Sequence, residues 1–193
     1  FDAFGTDSAA GEVLVDRWRQ RSMVASRLLL TGAGEGIDCT VTTLLQGADD
    51  GKRVVEALVN FFPDVTAPDD LTPPQFGEEQ ERTLTWTELS MNAFLDALHQ
   101  QRILDTALDA MSRSLEGETT HFCIGRQAAA AGKVAFPIPD VQPVGGTFDV
   151  QLTGRGLPDW LEAATWHPGR SQVPRTIGDE RSMSEDGEAS TWH

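Results

Sequence analysis

The chain of 193 residues has no tyrosine, two lysines (Lys52 and Lys133) and two cysteines (Cys39 and Cys123). It also lacks any run of 18 apolar residues, which excludes a membrane-spanning helix. No charged-then-apolar signal segment occurs at its start. Two cysteines are too few for a disulfide framework, so we predict free thiols in a reducing compartment, with one disulfide as the alternative.

Positive charge is also scarce, because 30 acidic residues stand against 15 basic ones, a net charge of −15. A chain this acidic repels nucleic acids and anionic membranes, so neither is predicted as a tightly bound partner. The histidines show no HxH or HExxH spacing, which argues against a zinc site; they are His99, His121, His167 and His193.

Composition divides the chain into three parts. Residues 1–12 are small and polar and predict a flexible N-terminal arm. Residues 13–168 predict a single β-rich domain, in which the proline-rich, acidic stretch 63–81 forms a long loop. Residues 169–193 contain few apolar side chains and predict an extended or disordered C-terminal arm.

Alternating apolar and polar residues predict several strands, at 37–45, 82–88, 120–125, 133–138 and 147–154. Residues 51–62 carry an apolar stripe with helical spacing, which predicts a short helix with Asp50 as its N-cap. The β-branched Val54, Val55 and Val59 leave a strand as the alternative. The segment WLEAATWHP, which starts at Trp160, is assigned to a short edge element.

The segment 89–115 has helical spacing throughout, but its apolar stripe changes face. Met91, Leu95 and Leu98 share one face, whereas the leucines after Ile103 share another. A straight helix cannot bury both stripes against one surface. We therefore predict two helices with a break between His99 and Ile103.

Together these patterns predict an α+β fold that is mainly β. The architecture expected is an antiparallel β-sandwich or small barrel, flanked by one or two helices and carrying extended terminal arms. Strand 147–154 alternates apolar and polar residues, as expected of a sheet with one face in water.

Few residue groups indicate chemistry. The segment LLLTGAGEGID, residues 28–38, resembles the glycine turn with which short-chain dehydrogenases/reductases bind a dinucleotide; a flexible hairpin turn is the alternative. His121 and Cys123 share a strand face, which permits a thiol nucleophile or ordinary packing. The DDGK sequence starting at Asp49 permits a loose calcium site. We predict no catalytic, cofactor-binding or metal-ligating residue, no cofactor, and no enzyme activity.

The segment THFCIGRQAAAAGKVAFPIPDVQPVGGTFDVQLTGRG, residues 120–156, resembles the closing part of tail tube (major tail) proteins of long-tailed bacteriophages. The resemblance extends over residues 83–169. It implies a structural virion protein that assembles with itself into stacked rings around a DNA channel. Its partners would be further copies and other virion proteins, with DNA passing unbound.

The resemblance also implies a location in the virion, assembled in the host cytoplasm; a non-viral protein is expected in the cytoplasm. Two other functions stay open from the residues. One is a non-enzymatic binding or adaptor module from an acidic proteome. The other is a nucleotide-binding enzyme built on the GAGEG turn.

Overall fold

A computed structural model describes residues 30–75, 77, 81–138, 141 and 143–178. The predicted arm 1–12 and residues 179–193 of the predicted C-terminal arm lie outside the described residues. Within the described ranges, no helix has the length and apolarity to cross a bilayer.

The described residues form four strands and five α-helices. The strands are β1 (Ile37–Gln46), β2 (Glu81–Trp86), β3 (Thr119–Gly125) and β4 (Thr147–Gly154). The helices are α1 (Gly51–Val59), α2 (Asn92–Gln101), α3 (Leu104–Ser112), α4 (Arg126–Ala130) and α5 (Leu157–Ala164). Short 3-10 turns lie at Ala33–Glu35 and Pro168–Ser171.

The four strands form one antiparallel sheet in the order β2-β1-β4-β3. The α+β prediction is confirmed. The sheet is open, however, and not a barrel or a sandwich, because β2 and β3 are its two edges and one face carries the helices. The other face is polar, as the alternation in strand 147–154 predicts.

The core lies between the sheet and the helix layer. A row of aromatic rings crosses it: Phe62 stacks on Phe94 with centroids 5.9 Å apart, and Phe94 lies 5.9 Å from Phe122. The row ends at Phe136, whose centroid is 6.1 Å from that of Phe122. These contacts connect the segment after α1, helix α2 and edge strand β3 through one apolar layer.

The helix break predicted between His99 and Ile103 is confirmed, because α2 ends at Gln101 and α3 begins at Leu104. The Asp50 cap is also confirmed, since its carboxylate accepts hydrogen bonds from the N–H groups of Lys52 and Arg53.

Two element predictions are wrong. Residues 133–138 form no strand: the backbone N–H and C=O of Val134 bond to the side-chain amide of Gln101, at 2.7 and 3.0 Å. Ala135 C=O accepts one hydrogen bond from Gly125 at the end of β3, and the segment pairs no further with the described strands. The predicted edge element after Leu157 is helix α5, which buries Trp160 and Leu161. Its apolar residues follow helical spacing, which the edge assignment overlooked.

The loop and the described part of the C-terminal segment both pack on the domain. In the 63–75 stretch, Val65 and Leu71 are buried. In the 169–178 stretch, Arg170 is buried and Ile177 contacts the core. The domain boundaries that the composition suggests remain predictions.

Candidate functional site

A cleft of about 520 Å³ lies where α2 meets α3. Its lining combines two histidines, one arginine, one aspartate and one threonine hydroxyl with two apolar residues: His99, Arg102, Ile103, Leu104, Asp105, Thr106 and His167. The break between the two helices brings the last turn of α2 and the first turn of α3 to the same opening. The segment that follows α5 closes the far side with His167.

Arg102 is the residue at the break, and its backbone is left-handed, with φ 58° and ψ 39°. Its N–H bonds to the C=O groups of Leu98 and His99, which ends α2. This conformation is common for glycine and costs other residues about 1–2 kcal/mol. The chain therefore carries an exposed arginine in the cleft lining, at a position where glycine would be more stable.

Asp105 lies on the cleft wall, and its carboxylate has two hydrogen-bond partners. Its carboxylate accepts hydrogen bonds from Nε2 of His167 at 3.0 Å and from Nε of Arg170 at 2.9 Å. Partial burial by itself would raise the pKa of Asp105. The hydrogen bonds and charges of Arg170 and His167 outweigh that effect and lower the pKa below its ordinary value.

Arg170, which contacts Asp105, is buried, with a side chain only 6% exposed. Its guanidinium also donates to Thr165 Oγ1 at 3.2 Å and to the C=O of Glu162 at 3.4 Å. Because these acceptors lie on α3 and at the end of α5, Arg170 fixes Asp105 and the segment after α5 in one position. The negative charge of Asp105 is thereby balanced within the protein.

Helix α3 begins at the cleft without a side-chain cap, because Ile103 occupies the N-cap position. The first N–H groups of an α-helix have no intrahelical partners and carry partial positive charge. Thr106, in the same first turn, adds a hydroxyl donor to the cleft lining. The cleft thus presents hydrogen-bond donors around a balanced carboxylate.

The side chains that line the cleft do not suit a metal ion. Within residues 30–178, as far as they are described, no group of three or more His, Cys, Asp and Glu side chains is arranged to hold one. The carboxylate of Asp105 already binds Arg170 and His167, and the guanidinium of Arg170 repels a cation.

The GAGEG turn does not present its backbone to a ligand. The Glu35 carboxylate accepts hydrogen bonds from the N–H groups of Thr31 and Gly32, at 2.9 and 2.7 Å, and from Nε1 of Trp160 at 3.3 Å. Strand β1, and not a helix, follows at Ile37. A side chain of the turn itself therefore occupies the place that a phosphate takes in a dinucleotide-binding turn.

His121 and Cys123 share the polar face of the sheet, as predicted. The Sγ atom of Cys123 donates to Asp149 Oδ1 at 3.0 Å. Burial, then the hydrogen bond and negative charge of Asp149, raise the pKa of Cys123 to about 12. Burial raises the pKa of Cys39, on the core face, to about 12 as well. Both thiols are free, as predicted, and both are held protonated.

We expect both thiols to resist alkylation in the folded protein. Because only the thiolate reacts, iodoacetamide at pH 8 should modify native Cys39 and Cys123 about a thousandfold more slowly than the urea-unfolded chain. Asp149→Asn should accelerate modification of Cys123 and leave Cys39 unchanged, as peptide mass spectrometry would show. Rapid labelling of Cys123 in the native protein would contradict this assignment.

No sequence pattern predicts the cleft as a site. His99 and His167 lie far apart in the chain, and no ligand spacing relates them. The one available signal was the helix break between His99 and Ile103, which places Arg102 in a tight turn. That the turn would also face His167 depends on the position of α5, which no local pattern determines.

Comparisons with known proteins overturn the phage assignment. No protein-family model matches the chain. The UPF0201 protein of the archaeon Metallosphaera sedula is 28% identical over 128 residues, which cover 65% of this chain and 87% of that protein. A UPF0201 protein of Saccharolobus solfataricus is 29% identical over 138 residues, 66% of this chain and 88% of that protein.

Solved structures agree on the fold. The crystal structure of the UPF0201 protein from Methanococcus jannaschii matches with a TM-score of 0.52 at 20% identity, covering 68% of this chain and 96% of that one. The tail tube resemblance and the virion role drawn from it are therefore wrong. They rested on glycine hairpins and alternating strands, which many antiparallel sheets share.

Proposed function

We propose that this protein binds a small anionic ligand, bearing a phosphate or carboxylate group, in the cleft between α2 and α3. The observation that carries the proposal is Arg102. An arginine with a left-handed backbone makes the protein less stable than glycine would at this position, and such backbone strain is concentrated at functional sites. Arg102 lines the cleft and is exposed, and an arginine there can form paired hydrogen bonds to an oxyanion.

The electrostatics of the cleft support an anion. The protein carries a net charge of −15, yet at the cleft one carboxylate, Asp105, stands against two guanidinium groups, Arg102 in the lining and Arg170 behind it. The uncapped start of α3 adds partial positive charge on the same side. The cleft is therefore a local basic region in an acidic protein, and its volume lies within the range of small-molecule sites.

The proposed role is binding without chemical conversion. Ser and Cys are absent from the described cleft lining, and Thr106 is its one hydroxyl. The His167–Asp105 pair resembles the base and orienting carboxylate of hydrolases, but Arg170 shares the carboxylate. We also propose a cytoplasmic location, in keeping with two free thiols. Self-association stays a prediction, which light scattering of the purified protein tests.

Thermal unfolding of the full chain in low salt tests the proposal. We expect inorganic phosphate or pyrophosphate, at about 10 mM, to raise the Tm by about 3 °C, because a ligand that binds only the folded state stabilises it. Matched chloride at equal ionic strength controls for screening. A panel with sulfate and citrate then separates phosphate from carboxylate preference. Identical Tm values across all of these salts would contradict anion binding.

Arg102→Gly should separate ligand binding from stability. Glycine removes the backbone cost, so the free protein should gain about 1 kcal/mol of unfolding free energy. The same change removes the guanidinium, so the phosphate-induced rise in Tm should disappear. Urea unfolding measures the gain in unfolding free energy, and calorimetric titration measures the loss of phosphate binding.

The matched control is Glu88→Gly. Glu88 is the other described non-glycine residue with positive φ, at 57°, and it is absent from the cleft lining. This variant should gain similar stability and bind phosphate like the wild type. If Arg102→Gly also keeps its affinity, Arg102 does not contact the ligand and the proposed site is wrong.

A further inference from the structure

The outer edge of β3 is a second region with backbone groups that can bind a partner. In an antiparallel strand, the backbone N–H and C=O of alternate residues point to opposite sides. Glu118 C=O bonds to Gly154 N–H across the β3–β4 pair, so Thr120, Phe122 and Ile124 also pair with β4. The groups of Thr119, His121, Cys123 and Gly125 therefore point outward.

The two ends of this edge are already occupied. Thr119 exchanges two hydrogen bonds with Glu116, and the N–H of Gly125 donates to Ala135 C=O at 2.9 Å. Between them, the N–H and C=O groups of His121 and Cys123 have no partner among the residues that the structure describes. At about 3.4 Å per residue, the open window admits a strand of about three residues.

A groove of about 550 Å³ runs along this window. Ala110 of helix α3 and Arg113, which follows that helix, form one wall. The segment after Ala135 forms the other with Phe136 and Ile138. The far wall is exposed and apolar: Ile138 is 72% exposed and Val141 57%. Apolar side chains left in water beside unpaired backbone groups mark an interaction surface.

We propose that this window binds an extended peptide of a partner protein as a short fifth strand. Its central residue would lie opposite Phe122 and point toward the helix layer, into the apolar groove. The residues on either side would lie opposite His121 and Cys123 and point to the polar face. The pattern is therefore polar–aliphatic–polar, with four backbone hydrogen bonds to His121 and Cys123.

A second copy of the chain does not fit this window. Antiparallel pairing of two β3 strands about Phe122 would place Gly125 of one copy opposite Thr119 of the other. Glu116 already lies there. Charge adds a further preference: a protein with a net charge of −15 repels its own copies and attracts a basic peptide.

The probe is the capped pentapeptide acetyl-Lys-Thr-Ile-Thr-Lys-amide, titrated into the ¹⁵N-labelled full chain. We expect the amide signals of His121 and Cys123 to move downfield and their hydrogen exchange to slow about tenfold or more. The amides of Thr120 and Phe122, which already pair with β4, should keep the protection they have without peptide.

Two N-methylated peptides supply the decisive comparison. Methylating both Thr nitrogens removes the donors that face His121 and Cys123, and should weaken binding about tenfold or more. Methylating the Ile nitrogen, which points away from β3, should leave affinity within about twofold. Equal binding of all three peptides would overturn strand addition, as would unmoved His121 and Cys123 amides at millimolar probe.

A protein variant tests the groove independently of the backbone. Ile138→Ser removes exposed apolar surface from the wall and should weaken probe binding about fivefold, with no change in Tm. Val173→Ser is the control, because Val173 is 68% exposed and lies outside the groove. Protection of the His121 and Cys123 amides that rises with protein concentration and without peptide would assign the window to a second copy and overturn the proposal.

Discussion

Replacing Gly146 by alanine should destabilise the protein by about 3 kcal/mol. Gly146 has a φ of 78°, and a Cβ at this position would lie 2.1 Å from Nη2 of Arg126. That guanidinium cannot simply move aside. It is buried, donates to the C=O groups of Leu44 and Gly145, and pairs with Asp49 Oδ2 at 2.9 Å. Urea unfolding followed by tryptophan fluorescence measures the loss.

Two further variants separate the clash from the backbone cost. Gly132 has a φ of 66° and open space around its Cβ position, so Gly132→Ala should cost only about 1 kcal/mol. In an Arg126→Ala background, Gly146→Ala should also cost about 1 kcal/mol, because the obstructing side chain is gone. Additive effects of Gly146→Ala and Arg126→Ala would show that the clash does not set the cost.

Arg170→Met should cost about 2–3 kcal/mol at neutral pH. The change removes donors to Asp105, Thr165 and Glu162 and releases the segment after α5 from α3. Arg53→Met is the control: the Arg53 side chain is 85% exposed and lies 3.6 Å from Asp50, so its loss should cost below about 0.5 kcal/mol. Equal effects of the two variants would contradict the anchoring role of Arg170.

The pH dependence of the same variant follows from Asp105. Its pKa is lowered in the folded protein, so its ion pair contributes stability above the ordinary carboxyl pKa of about 4. That contribution is lost as the pH falls through the lowered value. The difference between wild type and Arg170→Met should therefore be full at pH 7 and shrink below about pH 4. A constant difference down to pH 2 would mean that Arg170 acts through packing alone.

These variants also bear on the proposed ligand. If Asp105 is balanced by Arg170, the cleft accepts an anion; without Arg170, the uncompensated carboxylate should repel it. Arg170→Met is therefore expected to lose phosphate binding together with stability. Arg102→Gly should lose phosphate binding while gaining stability. The opposite signs of the two stability changes distinguish a residue that supports the cleft from one that contacts the ligand.

Local sequence patterns account for most of the secondary structure. Alternation located β1, β2, β3 and β4, since half-buried strands must place apolar residues on one face. The Asp50 cap and the change of apolar face after Leu98 were equally local. Each of these patterns involves residues only a few positions apart, so it can be recognised without knowing the rest of the fold.

Which segments join the sheet, and where the cleft forms, depends on contacts between elements that lie far apart in the chain. Residues 133–138 alternate like a strand, yet the Gln101 amide takes the Val134 backbone groups. Arg102, Asp105 and His167 meet because α5 and Arg170 pack against α3. Alternation indicates that one face of a segment is buried, but not which element packs against it. Hydrogen bonds and ion pairs between residues far apart in the chain determine the packing partner.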